Sequence, residues 1–159
     1  MTIKTATAGI TVAVALGSAL LLSPDAAPYT PSTLESAATE TATRNGRTGD
    51  FENLRQYLDA QGKRHGITFR VVVRPTLTRR QADQIAAGIG SADAIIALSY
   101  AGRRGYVYLG TDLAAALPPD FATTLETTIV NPNMARKDWY NAIQEAADSI
   151  VDTFYLTSV

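Results

Sequence analysis

The chain contains no cysteine. That excludes a disulfide framework, a thiolate zinc site, a cysteine nucleophile and a lipid-modified cysteine anchor. It has one histidine, His65, so no centre that needs two imidazoles can be built. Charge of one sign is scarce as well: 14 Lys and Arg against 15 Asp and Glu leave a formal net charge of −1. A nucleic-acid binder normally shows a strong basic excess, so that partner class is set aside. No G-x-S-x-G elbow, P-loop or EF-hand spacing occurs. With no nucleophile–base pair in view, no catalytic residue is assigned and the chain reads as a non-enzyme first. His65 reads as a helix C-terminal residue that meets the dipole, and Trp139 as a packing anchor.

What is present begins with an apolar segment. After Lys4, the stretch "ATAGITVAVALGSALLL" runs for 17 residues, 6–22, without a charge. A bilayer span needs ~20 apolar residues, and the apolar region of a cleaved signal ~7–15. The following "SPDAAP" offers no clean small-x-small cleavage site, because Pro24 or Asp25 falls at −3. Residues 1–26 therefore read as a signal anchor or signal peptide. Either way the remainder is expected outside the cytoplasm, single-pass at the cell membrane or secreted after cleavage. Residues 27–49, rich in Pro, Thr, Ser and Ala, read as a flexible tether, with room for a short helical turn near Leu34 to Thr41.

Residues 50–159 carry the signals of one α/β domain. "DFENLRQYLDAQGKRHG" places Phe51, Leu54, Tyr57 and Leu58 at helical spacing, with Asp50 as N-cap and Gly66 as stop. "ITFRVVVRP" reads as a strand, and Thr78-Arg79-Arg80-Gln81 as a capping box opening a helix that Gly88 and Gly90 close. "DAIIALSY" and "YVYLG", joined by "AGRRG", read as a hairpin. A short helix follows with Asp112 as its cap, then a helix from Asp120 that Asn131-Pro132-Asn133 breaks. Asp138 caps the last helix, whose stripe is Tyr140, Ile143, Ala147, Ile150 and Phe154. The expected fold is α/β: a small mixed sheet, a parallel pair plus an antiparallel hairpin strand, packed by helices and preceded by the N-terminal transmembrane or signal helix.

This order separates two ends. Asp93 and Asp112, with Asp120, fall at the end where the second strand starts; carboxylates with loop carbonyls could hold Ca²⁺. Arg74, Arg79, Arg80, Arg103 and Arg104 fall at the opposite end, where guanidinium groups could clamp carboxylates or phosphates. The plainer readings are helix caps for the first set and solvated turns for the second.

The strand "TFRVVVRP", the strand "DAIIALS", the basic turn and "RRGYVYLG", then "LPPD" and "IVNPNMARKDWYNAI", occur in the order seen in TPM domains. The chain resembles that family over residues ~50–155, with Pro132, Asp138, Trp139 and Ile143 in place. Where the family has Gly-x-Gly-Leu-Glu, this chain has Gly110-Thr111-Asp112-Leu113-Ala114. The resemblance implies an extracytoplasmic, membrane-tethered module that binds a protein partner in cell-envelope maintenance or assembly. It also implies two alternatives: a weak Ca²⁺- or Mg²⁺-dependent phosphatase, or a Ca²⁺-binding module without turnover. Asp93, Asp112 and Asp120 would be the ligands in either, and Ca²⁺ is the one candidate cofactor.

Overall fold

In the computed structural model, residues 33–34 and 48–159 are described, with side chains from residue 52 onward. The apolar N-terminal segment and most of the tether lie outside the described residues. Among the described residues, no helix is long and apolar enough to cross a membrane.

The elements are β1 (Thr33–Leu34), α1 (Thr48–His65), β2 (Thr68–Arg74), α2 (Arg79–Ala86), β3 (Asp93–Ser99), β4 (Arg104–Leu109), α3 (Thr111–Ala116), α4 (Phe121–Leu125), a π-helical turn (Glu126–Val130), α5 (Asn131–Ala135) and α6 (Trp139–Ser158). The sheet order is β1-β2-β3-β4. β2 and β3 are parallel, as a strand–helix–strand unit requires, with Thr68 opposite Asp93 and Arg74 opposite Ser99. β4 returns antiparallel to β3 through the tight turn, with Ser99 opposite Arg104. The mixed α/β sheet read from the sequence is thus formed. Within the segment read as a tether, Thr33 and Leu34 pair in parallel with Arg70 and Val71, which adds a minimal fourth strand.

Strand alternation divides the core. Phe69, Val71, Val73, Ala94, Ile96, Leu98 and Val107 face α1 and α6, packing on Leu54, Leu58, Ile143, Ala147 and Ile150. The opposite face carries Ala97 and Tyr106 against Leu77 and Ala82 beside α2. The result is three layers. Trp139 is buried in the larger cluster, as a packing anchor should be.

Local chemistry explains most boundaries. Thr78 and Gln81 complete a reciprocal capping box on α2. Gly66 leaves α1 at φ 72°, a left-handed conformation that a Cβ resists. Asp138 accepts the Asn141 N–H and caps α6.

Three expectations are corrected. α1 starts at Thr48, so Asp50 lies inside its first turn rather than at the cap. Asp112 is not the cap of α3: that position belongs to Gly110, which offers no side-chain bond. Asn131-Pro132-Asn133 does not break the helix. The chain stays helical from α4 through the π turn into α5, with the Asn131 N–H reaching back to Glu126 O. The wider turn resets the register so that Pro132 falls in the first turn of α5, where its missing N–H is not needed.

Candidate functional site

The arginine end is built around the β3–β4 turn. Tyr100 N–H bonds Arg74 O, and Ala101 N–H bonds Pro75 O, so the turn lies across the exit of β2. Ser99 Oγ accepts the Leu77 N–H at 3.0 Å and holds the loop that leads to α2. Arg103 adopts a left-handed φ of 53°, which tightens the turn.

Arg74, Arg103 and Arg104 lie at this end of the sheet and Arg79 and Arg80 open α2, but the five are not equivalent. Arg79 is committed to the fold: its guanidinium makes a two-point contact with Glu126, at 3.1 and 2.7 Å. It also lies 4.5 Å over the Tyr106 ring. The contact with Glu126 holds Arg79 more firmly protonated than an ordinary arginine. Arg74 is half-buried, while Arg80, Arg103 and Arg104 are exposed. Among the described residues, those three make no ion pair. They are the exposed arginines of the set.

Glu126 escaped the sequence reading. It is nearly buried, at 7% exposure, and its Oε1 also accepts the Val107 N–H at 2.8 Å. Val107 and Gly105 point their N–H groups away from β3, toward the open edge. Asn131 Oδ1 takes the Gly105 N–H at 3.0 Å. Two helical side chains therefore close an edge that would otherwise present free donors. A signal was available: Glu126 is the only charge between Phe121 and Ala135. Beside this network, Tyr108 donates to Asp83 at 2.6 Å. Burial foremost, then that carboxylate, pushes its hydroxyl up to about 12.

The carboxylate end is held by backbone. Gly110 N–H bonds Asp93 O, while Asp112 and Leu113 N–H both bond Ser91 O. A Cβ on Gly110 would lie 2.6 Å from the Ser91 carbonyl carbon, and closer still to the Gly90 and Ser91 oxygens. Only glycine permits that crossing. The Asp93 carboxylate accepts the Gly90 N–H at 2.9 Å, which makes it partly a loop brace. Asp112 is exposed in the first turn of α3, where its charge suits the dipole. Asp120 lies apart, at a left-handed φ of 59°, lining a cavity of about 320 Å³ with Leu109, Pro119 and Phe121. Among the described residues, no group of three His, Asp or Glu side chains could hold a metal ion. His65 belongs to neither cluster; its ring meets Tyr155 edge-on at 6.3 Å.

The profile of the TPM domain family matches residues 47–153, about two-thirds of the chain. No curated protein matches it. Two solved structures are similar in fold. One is the N-terminal domain of a protein from P. gingivalis, 16% identical, with a TM-score of 0.51 over 64% of this chain and 73% of that one. The other is the N-terminal domain of the cg2496 protein from Corynebacterium glutamicum, 15% identical, with a TM-score of 0.53 over 66% of this chain and 71% of that one.

Proposed function

The chain belongs to the TPM domain family, and from that premise we propose that it is a binding module of the cell envelope. Residues 6–22 tether it to the membrane, and the domain stands outside the cytoplasm. Its partner is an envelope protein that presents carboxylates to the arginine end.

The observation that carries this reading is the contrast among the arginines. Arg79 is matched by Glu126, whereas Arg80, Arg103 and Arg104 stand exposed without an ion pair among the described residues. Guanidinium groups recognise carboxylates by paired hydrogen bonds and speed encounter with an acidic surface. Removing exposed charges also leaves the fold intact, so binding can be tested separately from stability. The full chain and an Arg103→Glu/Arg104→Glu variant would be used to capture partners from envelope membranes. The expected result is at least about a tenfold loss of the captured envelope protein, the effect of roughly 1.4 kcal/mol. Equal capture by both would overturn the reading.

The competing location is the carboxylate end, favoured by the exposed Asp112 beside the braced Gly90–Asp93 loop. There, Asp93 and Asp112, completed by loop carbonyls rather than by a third carboxylate, would bind Ca²⁺ with or without phosphatase turnover. Calorimetric Ca²⁺ binding lost in Asp112→Asn, with partner capture unchanged by the arginine reversals, would transfer the function there.

A further inference from the structure

The parallel pairing of β1 with β2 fixes the side of the sheet from which β1 is entered. Thr33 lies opposite Arg70 and Leu34 opposite Val71. β1 therefore runs in the direction of β2 and is entered, at the level of the third residue of β2, from the side where β2 starts. α1 also finishes there, since only Gly66 and Ile67 separate His65 from Thr68. α6 finishes beside it: Gln61, Arg64 and His65 line one groove of about 510 Å³ with Val151, Asp152, Tyr155 and Leu156.

That end has an unusual surface. Among the described residues, the exposed large apolar side chains are Tyr155, Leu156 and Val159, all at the end of α6. Tyr155 is 58% exposed and Leu156 75%. Arg64 lines the groove with them, as does Asp152, and the exposed Lys63 shares the last turn of α1 with Arg64. An apolar pair next to cations is the pattern of a surface that sits at the headgroup level of an anionic bilayer.

We propose that the α1–α6 end of the domain docks on an anionic lipid surface, with Tyr155 and Leu156 at the interface and Lys63 and Arg64 on headgroup phosphates. The proposal rests on residues 6–22 being a membrane anchor. The direction of β1 favours this end. Thr33 pairs with Arg70, so the arginine turn lies about four strand residues further on, ~13 Å. Bringing it to the bilayer would need the incoming chain to fold back past β1, whereas the α1–α6 end lies on the side from which β1 is entered. Asp93 and Asp112 share this end on the sheet loops, so the domain would tilt its helical layer toward the lipid. The arginine cluster then faces away from the membrane, free for a protein partner.

The absence of cysteine allows single probes. The full chain would be placed in vesicles of phosphatidylcholine containing phosphatidylglycerol, with a fluorophore on Leu156→Cys or, at the far end, on Ala101→Cys. The expected result is a severalfold lower access of a water-soluble quencher to position 156 than to 101. Adding Lys63→Glu/Arg64→Glu should restore access at 156. A chain that floats with the vesicles while its 156 probe stays as accessible as the 101 probe would overturn docking and leave the anchor standing. A chain that fails to float would overturn the anchor, and docking with it. Protection at 156 that follows protein density rather than lipid would overturn docking in favour of a second copy on this face.

Discussion

The two ends of the sheet are closed by different means. At the carboxylate end, backbone meets backbone: Gly110 sits against Gly90 and Ser91, and Ser91 O takes two N–H groups from α3. At the arginine end, side chains do the closing: Ser99 holds Leu77 N–H, Glu126 holds Arg79 and Val107 N–H, and Asn131 holds Gly105 N–H. Backbone closure tolerates no added atom and asks less of side chains, with Asp93 bracing the Gly90 N–H. Side-chain closure commits some charges and leaves others exposed. An arginine count alone therefore overstates the exposed positive charge, because Arg79 is part of the architecture.

The sharpest way to break this comparison is Gly110→Ala. A Cβ there meets carbonyl groups that cannot rotate away, so a loss of about 4 kcal/mol is expected, at the upper end for single substitutions. The urea midpoint checks it, and an unchanged midpoint would mean that the two loops do not cross as described. Next comes Glu126→Ala, which strips Val107 N–H of its acceptor and Arg79 of its counter-charge. A loss of about 3 kcal/mol is expected. Glu126→Gln, which keeps an acceptor for Val107, should lose less. Equal effects would show that the charge, rather than the edge closure, is what matters.

The smallest effect is a matter of pH. Tyr108, beside the arginine network, and Tyr57, which joins α1 to α6 by bonding Asp148, are each pushed up to about 12. Burial is the main cause for both, followed by the carboxylate that accepts the hydroxyl. An unfolded tyrosine ionises near 10, so the folded state favours the protonated form. Their contribution is complete below pH ~10 and lost as pH rises toward ~12. Thermal melts of Tyr57→Phe and Tyr108→Phe across that range should be flatter than the parent. A parent melting temperature indifferent to pH in this window would remove both tyrosines from the account.

The separation of the two ends is legible in the sequence, because it follows from connection rules. A helix between β2 and β3 makes them parallel, and a five-residue basic turn makes β4 antiparallel. The caps at Thr78 and Asp138 were legible for the same kind of reason: each is a bond within three residues. Asp112 misled because aspartate is a good cap, whereas the tight crossing at Gly110 takes the cap position for a residue without a side chain. The continuity through Pro132 was hidden because a π turn is a packing solution that local propensity does not record. Glu126 was hidden because its partners are remote: Arg79 is 47 residues away and Val107 19.

By itself, then, the sequence determined the α/β class, the family and the order and direction of the strands read from it. These depend on short-range bonds, strand alternation and the order of elements along the chain. Only the tertiary structure decided which arginines are spent on the fold, how the β4 edge is closed and where the incoming chain meets the sheet. Those outcomes depend on contacts between residues distant in sequence, whose energies exist only once the layers have packed.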